Sequence, residues 1–182
     1  MKVTRNGAPT AVQTVSEQPA PKARWEPPSW LLIAVCVAVP LCVGLLIGAL
    51  TGASAKELYA SLKLPPLSPP DWIFSIVWTV LYTLMGIASY LVIRSGCTQV
   101  RMRCALTAYA VQLLLNAVWM PVFFLAMAFG VAAVISLALM AALAITMDLF
   151  TRCSAAAGKL LIPCLLWVTF ATYLTIGVAL LN

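Results

Sequence analysis

The chain has 182 residues, of which 63% are hydrophobic and only 9% are charged, and its formal net charge is +6. Its mean hydropathy is +1.02. Because a soluble domain has about 25% charged residues, this composition excludes an ordinary soluble protein and indicates an integral membrane protein.

The first half of the chain contains a polar tail and two apolar runs. Residues 1–29 are polar, contain proline and lack periodicity, which predicts a disordered tail. The uncharged runs 30–50 and 72–93 have 21 and 22 residues. At about 1.5 Å per residue, each is long enough to cross a hydrocarbon core of about 30 Å as a helix.

The second half of the chain contains a longer uncharged segment. Residues 104–147 would form a single helix of about 66 Å, so they must fold back on themselves. We place the turn near Gly130, because glycine tolerates a tight turn best. The last apolar run is 160–181. The sequence thus predicts an all-α integral membrane fold over residues 30–182, a five-transmembrane-helix bundle with approximate helices 30–50, 72–93, 104–127, 130–150 and 160–181.

Basic residues lie mostly on one side of this bundle. Nine of the eleven lysines and arginines fall in the tail or in loops 94–103 and 151–159, which share one side, and only Lys56 and Lys63 fall on the other. The positive-inside rule therefore predicts a cytoplasmic N-terminus. A signal peptide cleaved after Ala55 is disfavoured, because the first run is longer than the 7–15 residues or so of a signal sequence.

The predicted connection between helices 1 and 2 is long and rich in proline. It spans about twenty residues, and loops of that length in compact domains often act as lids. Pro65 and Pro66 exclude helix there. We expect Ser68 to cap the second helix, with Pro69 at its first position and Asp71 near the free amides.

Small residues recur on the first predicted helix at Gly44, Gly48 and Gly52. Such spacing lets helix backbones approach closely. Two interpretations stay open: the glycines pack helix 1 inside its own bundle, or they form a homodimer interface. Pro40 and Pro121 lie inside spans, where each removes one backbone hydrogen bond.

The residues that support metal or acid–base chemistry are scarce. The chain has no histidine, and its six cysteines form no CxxC pair. We therefore predict no metal site and no cofactor, interpret the cysteines as small apolar side chains, and expect no nucleic-acid partner.

Three blocks of sequence resemble the TspO/MBR (tryptophan-rich sensory protein or translocator protein) family. They are ELYASLKLPPLSPPDWIFSIVWTVLYTLMGIASYLV, LLLNAVWMPVFF and LLIPCLLWVTFATYL. They resemble, in order, the first loop with the second helix, the third helix and the fifth helix of that family. The resemblance covers residues 30–182.

The resemblance implies a compact five-helix bundle, often dimeric, with a hydrophobic ligand pocket under the first loop. It implies porphyrins, sterols and benzodiazepine-type drugs as ligand classes. Helical spacing independently places Phe74, Trp78 and Tyr82 on one face. By position, the implied ligand-binding residues are Tyr59, Pro69, Phe74, Trp78, Tyr82, Asn116, Trp119, Ser136, Trp167, Ala171 and Leu174.

Six positions depart from the family pattern. A lysine and a tryptophan of the first loop are replaced by Leu64 and Leu67. An acidic residue and a tryptophan of the fourth helix are replaced by Ile135 and Val131. In the fifth helix, a tyrosine is replaced by Cys164 and an asparagine by Thr175. These departures bear on how the loop is held and on which ligand is bound.

Three functions follow as hypotheses. The first is binding of a porphyrin or sterol-like molecule in a sensory, sequestering or translocating role. The second is enzyme-like, light-dependent porphyrin degradation using Trp78 and Trp167, although no nucleophile–base pair supports ordinary catalysis. The third is an accessory subunit of a transporter. The resemblance favours the bacterial cell membrane, with the mitochondrial outer membrane as the alternative.

Overall fold

The computed structural model describes residues 29–182, and within them the chain is helical. The helices are α1 (Ser29–Ser61), α2 (Asp71–Arg94), α3 (Gln99–Phe124), α4 (Phe129–Cys153), α5 (Ala155–Leu160) and α6 (Ile162–Leu181). Five segments are long and apolar enough to cross a membrane, with α5 and α6 together forming the last. The predicted five-span membrane fold is confirmed. The predicted tail, 1–29, lies outside the described residues except for Ser29.

The helices pack as a bundle in which α1 lies along α2 and α3, while α4 lies along α3 and α6. The core contains side chains from α2, α4 and α6, among them Met85, Leu143, Phe150 and Cys164, which are fully buried. The backbones of α1 and α2 approach each other closely at Gly86 of α2. A Cβ atom there would lie 2.7 Å from the carbonyl oxygen of Cys36 on α1.

Helix α1 is much longer than predicted. It continues to Ser61, so the connection to α2 comprises residues 62–70 rather than about twenty residues. The predicted end at residue 50 is wrong, because Ala53, Ala55 and Lys56 favour helix even though the apolar run has stopped. At about 1.5 Å per residue, α1 is about 50 Å long, so its last turns extend beyond a hydrocarbon core of about 30 Å.

The start of α2 also differs from the prediction. Ser68 does not cap the helix: its Oγ donates to the carbonyl oxygen of Pro65 at 2.8 Å. Pro70 is the N-cap residue, and α2 begins at Asp71, whose Oδ1 accepts from the Trp72 amide at 2.9 Å. The four prolines between residues 65 and 70 hold the backbone extended, which postpones the first helical turn past Pro69.

Other boundaries shift by a few residues. Helix α3 begins at Gln99, since the Thr98 side chain accepts from the Arg101 amide. The α3–α4 turn has its positive φ at Met127 (50°), whereas Gly130 lies inside α4. The last span is interrupted at Leu161 and resumes just before Pro163, which cannot donate a backbone hydrogen bond.

Candidate functional site

A cavity of about 310 Å³ lies beneath the 62–70 connection, between α1, α2, α3 and α6. We call it the main cavity. Its size is at the lower end of the range for small-molecule sites, and its wall is mostly apolar. Six of the eleven predicted ligand-binding residues line it: Tyr59, Phe74, Trp78, Trp119, Ala171 and Leu174.

A small chamber of about 20 Å³ adjoins the main cavity and shares Phe74, Trp78, Trp119 and Ala171 with it. Asn116 and Ser136, both predicted site residues, line only the chamber. Asn116 Nδ2 and Trp119 Nε1 are buried and have no hydrogen-bond partner within residues 29–182. Unpaired buried donors are costly, so these two groups favour an acceptor in the chamber.

Tyr82 lies in the core rather than in either space. It is 6% exposed, and its ring lies 5.4 Å from that of Trp78 between centroids. It packs against Gly44 of α1, where a Cβ atom would collide with the tyrosine ring. Gly44 therefore serves packing inside the bundle.

Trp167 lines a different surface, an apolar groove between α2 and α6 on the outside of the bundle. Its ring lies 5.7 Å from that of Phe74, and Phe74 lines the main cavity whereas Trp167 does not. The spacing of Trp167 and Ala171 did not predict this difference, because residues four apart share a helix face without pointing into the same space.

Three side chains fasten the 62–70 connection over the cavity. The Tyr59 hydroxyl donates to the Pro69 carbonyl oxygen at 2.6 Å, and the Tyr173 hydroxyl donates to that of Pro66 at 3.0 Å. The Asn182 side chain accepts from the Lys63 amide and donates to the Lys63 carbonyl, both at 3.0 Å. Pro69, a predicted site residue, thus serves as an anchor and is absent from the cavity wall.

The six departures from the family pattern occupy different places. Leu64 lines the main cavity, whereas Leu67 is 81% exposed and adopts a positive φ of 68°. Val131 lies on the outer surface, and Ile135 is half-buried on α4. Thr175 also lines the main cavity, whereas Cys164 is buried in the core. Leu64 and Thr175 are therefore the departures that change the chemistry of the cavity wall.

Several lining residues were missed in the sequence. The largest group lies on α1 and comprises Gly48, Gly52, Ala55 and Lys56, of which the last three lie beyond the predicted end of the helix. A Cβ atom added at Gly48 or Gly52 would meet nothing within 4 Å, so these glycines open space in the cavity. Their i, i+4 spacing to Lys56 could have revealed this face, had the helix been extended past residue 50.

Among the described residues, the charged groups on the cavity wall are Lys56 and Asp71. No three histidine, cysteine, aspartate or glutamate side chains converge as a metal site within residues 29–182. The wall therefore offers aromatic surface, a few hydroxyl groups and one charge of each sign. Such a site can bind a largely apolar molecule and orient its polar edge.

The fold and the cavity define the class: an integral membrane protein whose helices enclose an apolar cavity near one membrane surface. A sequence model of the TspO/MBR family matches residues 36–181. The chain belongs to the TspO/MBR family, which confirms the resemblance of the three sequence blocks.

Relatives in this family come from bacteria and animals. The chain is similar to the tryptophan-rich protein TspO of Chlorobaculum tepidum, with 35% identity over 153 residues, 84% of this chain and 96% of that protein. It is 38% identical to the tryptophan-rich sensory protein of Cereibacter sphaeroides over 135 residues, 72% of this chain and 82% of that protein. It is 40% identical to the human translocator protein over 118 residues, 64% of this chain and 69% of that protein.

Proposed function

We propose that the protein binds a flat, largely apolar ligand in the main cavity, with a porphyrin or other tetrapyrrole as the first candidate and a sterol-like molecule as the second. Binding would serve a sensory, sequestering or translocating role. The names of the relatives, sensory protein and translocator protein, agree with such roles.

One observation carries the proposal. The main cavity joins aromatic walls, from Phe74, Trp78 and Trp119, to a chamber with unpaired donors on Asn116 and Trp119. Aromatic walls suit a flat ring system, and the donors suit a polar group on its edge. Because the cavity is only about 310 Å³, a macrocycle would extend past its mouth or displace part of the 62–70 connection.

A fluorescence titration in the dark tests this proposal. Purified protein in detergent is titrated with protoporphyrin IX while tryptophan emission is followed, and a sterol is then added as competitor. We expect saturable, one-site quenching. Trp78→Phe should weaken binding, because it removes part of the cavity wall, whereas Trp167→Phe in the outer groove is the matched control.

Two outcomes contradict the proposal. Linear, unsaturable quenching in the wild type would mean that porphyrin merely partitions into the micelle. Weaker binding by Trp167→Phe but not by Trp78→Phe would move the ligand to the α2–α6 groove.

Light-dependent porphyrin degradation is a second candidate, favoured by the position of Trp78 on the cavity wall. Its indole would contact a bound porphyrin, whereas Trp167 is not part of the cavity wall. We therefore expect Trp78→Phe to slow the loss of porphyrin absorbance under illumination more than Trp167→Phe does. Equal bleaching rates in both variants and the wild type would eliminate this candidate.

We further propose a bacterial cell membrane as the location, with the N-terminus in the cytoplasm. The support is the charge distribution: Arg94, Arg101, Arg103, Arg152 and Lys159 lie at one end of the bundle. The main cavity would then open toward the opposite membrane surface. A homodimer also stays a proposal, and it would need a surface other than Gly44, which packs inside the bundle.

A further inference from the structure

Lys56 is a charged group of the cavity wall that forms no ion pair with any residue of the described range 29–182. It lies on the last turns of α1, lines the main cavity and is exposed. Its side chain forms no ion pair or hydrogen bond within residues 29–182. Glu57 is adjacent in sequence, but neighbouring residues on a helix do not face each other.

Asp71, the other charged residue of the wall, is in a different situation. Its Oδ1 accepts from the Trp72 amide at 2.9 Å, and it occupies the first position of α2. A carboxylate there is stabilised by the free amides and by the positive end of the helix dipole. Its negative charge is therefore partly balanced, which leaves Lys56 as the dominant charge available to a ligand.

The position of Lys56 along α1 places this charge near the membrane surface. Helix α1 is about 20 Å longer than a hydrocarbon core, and Lys56 lies five residues before its end. An amphipathic ligand can thus keep its apolar body among the aromatic side chains while its polar edge remains at the interface.

We infer that Lys56 selects ligands that carry a carboxylate on one edge of an apolar body, and that it binds this carboxylate at the mouth of the main cavity. This inference rests on the proposed binding in that cavity. It makes a dicarboxylic porphyrin a better ligand than an uncharged molecule of the same shape. A neutral sterol would lack this contribution.

The test compares protoporphyrin IX with its dimethyl ester, which has the same macrocycle but no carboxylates. Dissociation constants are measured for the wild type, Lys56→Gln, Lys56→Arg and Lys63→Gln. Lys63 is the matched control, because it is a lysine on the same side of the bundle whose side chain does not line the cavity. Its backbone contacts with Asn182 survive the substitution.

We expect Lys56→Gln to weaken binding of the diacid by about three- to fivefold, the size typical of a solvent-screened charge pair. Binding of the ester should change less than about twofold, and Lys56→Arg should retain the preference for the diacid. Added salt should reduce the difference between diacid and ester in the wild type. Because each ligand is compared with itself across variants, differences in partitioning into detergent cancel.

The outcomes separate this inference from the proposed function. If the diacid binds the wild type but Lys56→Gln affects both ligands alike or neither, the role of Lys56 is wrong while cavity binding stands. An equal loss in Lys63→Gln would likewise overturn it, since general surface charge would suffice. If neither ligand binds the wild type saturably, the proposed function fails and the inference fails with it.

Discussion

Gly48 provides a way to fill the main cavity without disturbing the fold. The residue lines the cavity, and a Cβ atom added there meets nothing within 4 Å. Gly48→Leu introduces four carbon atoms, and if each occupies roughly the 30 Å³ of a water molecule they take up about 120 Å³. That is more than a third of the cavity volume of about 310 Å³.

The expected result is a loss of binding without a loss of stability. Overpacking in the reduced space costs a bound ligand about 1–3 kcal/mol of binding free energy, which raises the dissociation constant roughly tenfold or more. The folded protein gains helix propensity, because leucine is favoured over glycine in a helix by up to ~0.8 kcal/mol.

Gly130→Leu is the matched control. Gly130 also lies in a helix with nothing within 4 Å of an added Cβ atom, but it is not part of the cavity wall. Protoporphyrin IX affinity by fluorescence and thermal stability in detergent are measured for both variants. We expect comparable melting temperatures and reduced affinity only for Gly48→Leu. A stable Gly48→Leu protein that binds as tightly as the wild type would refute the assignment of the ligand to this cavity.

Three further predictions concern the connection, the bundle and the thiols. Tyr173→Phe and Asn182→Ala should each accelerate ligand dissociation in stopped-flow measurements, because each loses hydrogen bonds to the 62–70 connection. Unchanged dissociation rates would mean that the connection does not cover the path by which the ligand leaves the main cavity. Gly86→Ala should lower stability by roughly 1–3 kcal/mol, because its Cβ would press on the α1 backbone, and an unchanged melting temperature would contradict this contact. A hydrogen bond from the Cys153 thiol lowers the pKa of Cys97. At neutral pH, a membrane-impermeant maleimide should therefore label Cys97 faster in the wild type than in a Cys153→Ala variant, and only from the cytoplasmic side. Labelling from the other side would reverse the proposed orientation.

The spans could be predicted because the bilayer imposes a simple length rule. Uncharged runs of about 20 residues identify transmembrane helices whatever they pack against. The same rule failed for α1, because it tracks apolar residues, whereas helix formation continues through any residues of good propensity. The error hid the part of the cavity wall that carries Gly52, Ala55 and Lys56.

The site was only partly predictable for a related reason. Helical spacing identifies which residues share a face, and it grouped Phe74 and Trp78 correctly with respect to the main cavity. It does not tell which of two neighbouring spaces a large side chain enters, as the placement of Trp167 in the outer groove illustrates. Contacts between distant segments, such as Asn182 with Lys63, depend on the packing of the whole bundle.

The central claim is that the space between α1, α2, α3 and α6 is the ligand site, and a structure of the protein with protoporphyrin IX tests it most directly. We predict density for the macrocycle against Trp78 and Trp119, with a carboxylate beside Lys56 and the 62–70 connection above it. Density confined to the α2–α6 groove beside Trp167, with the main cavity empty, would contradict the account.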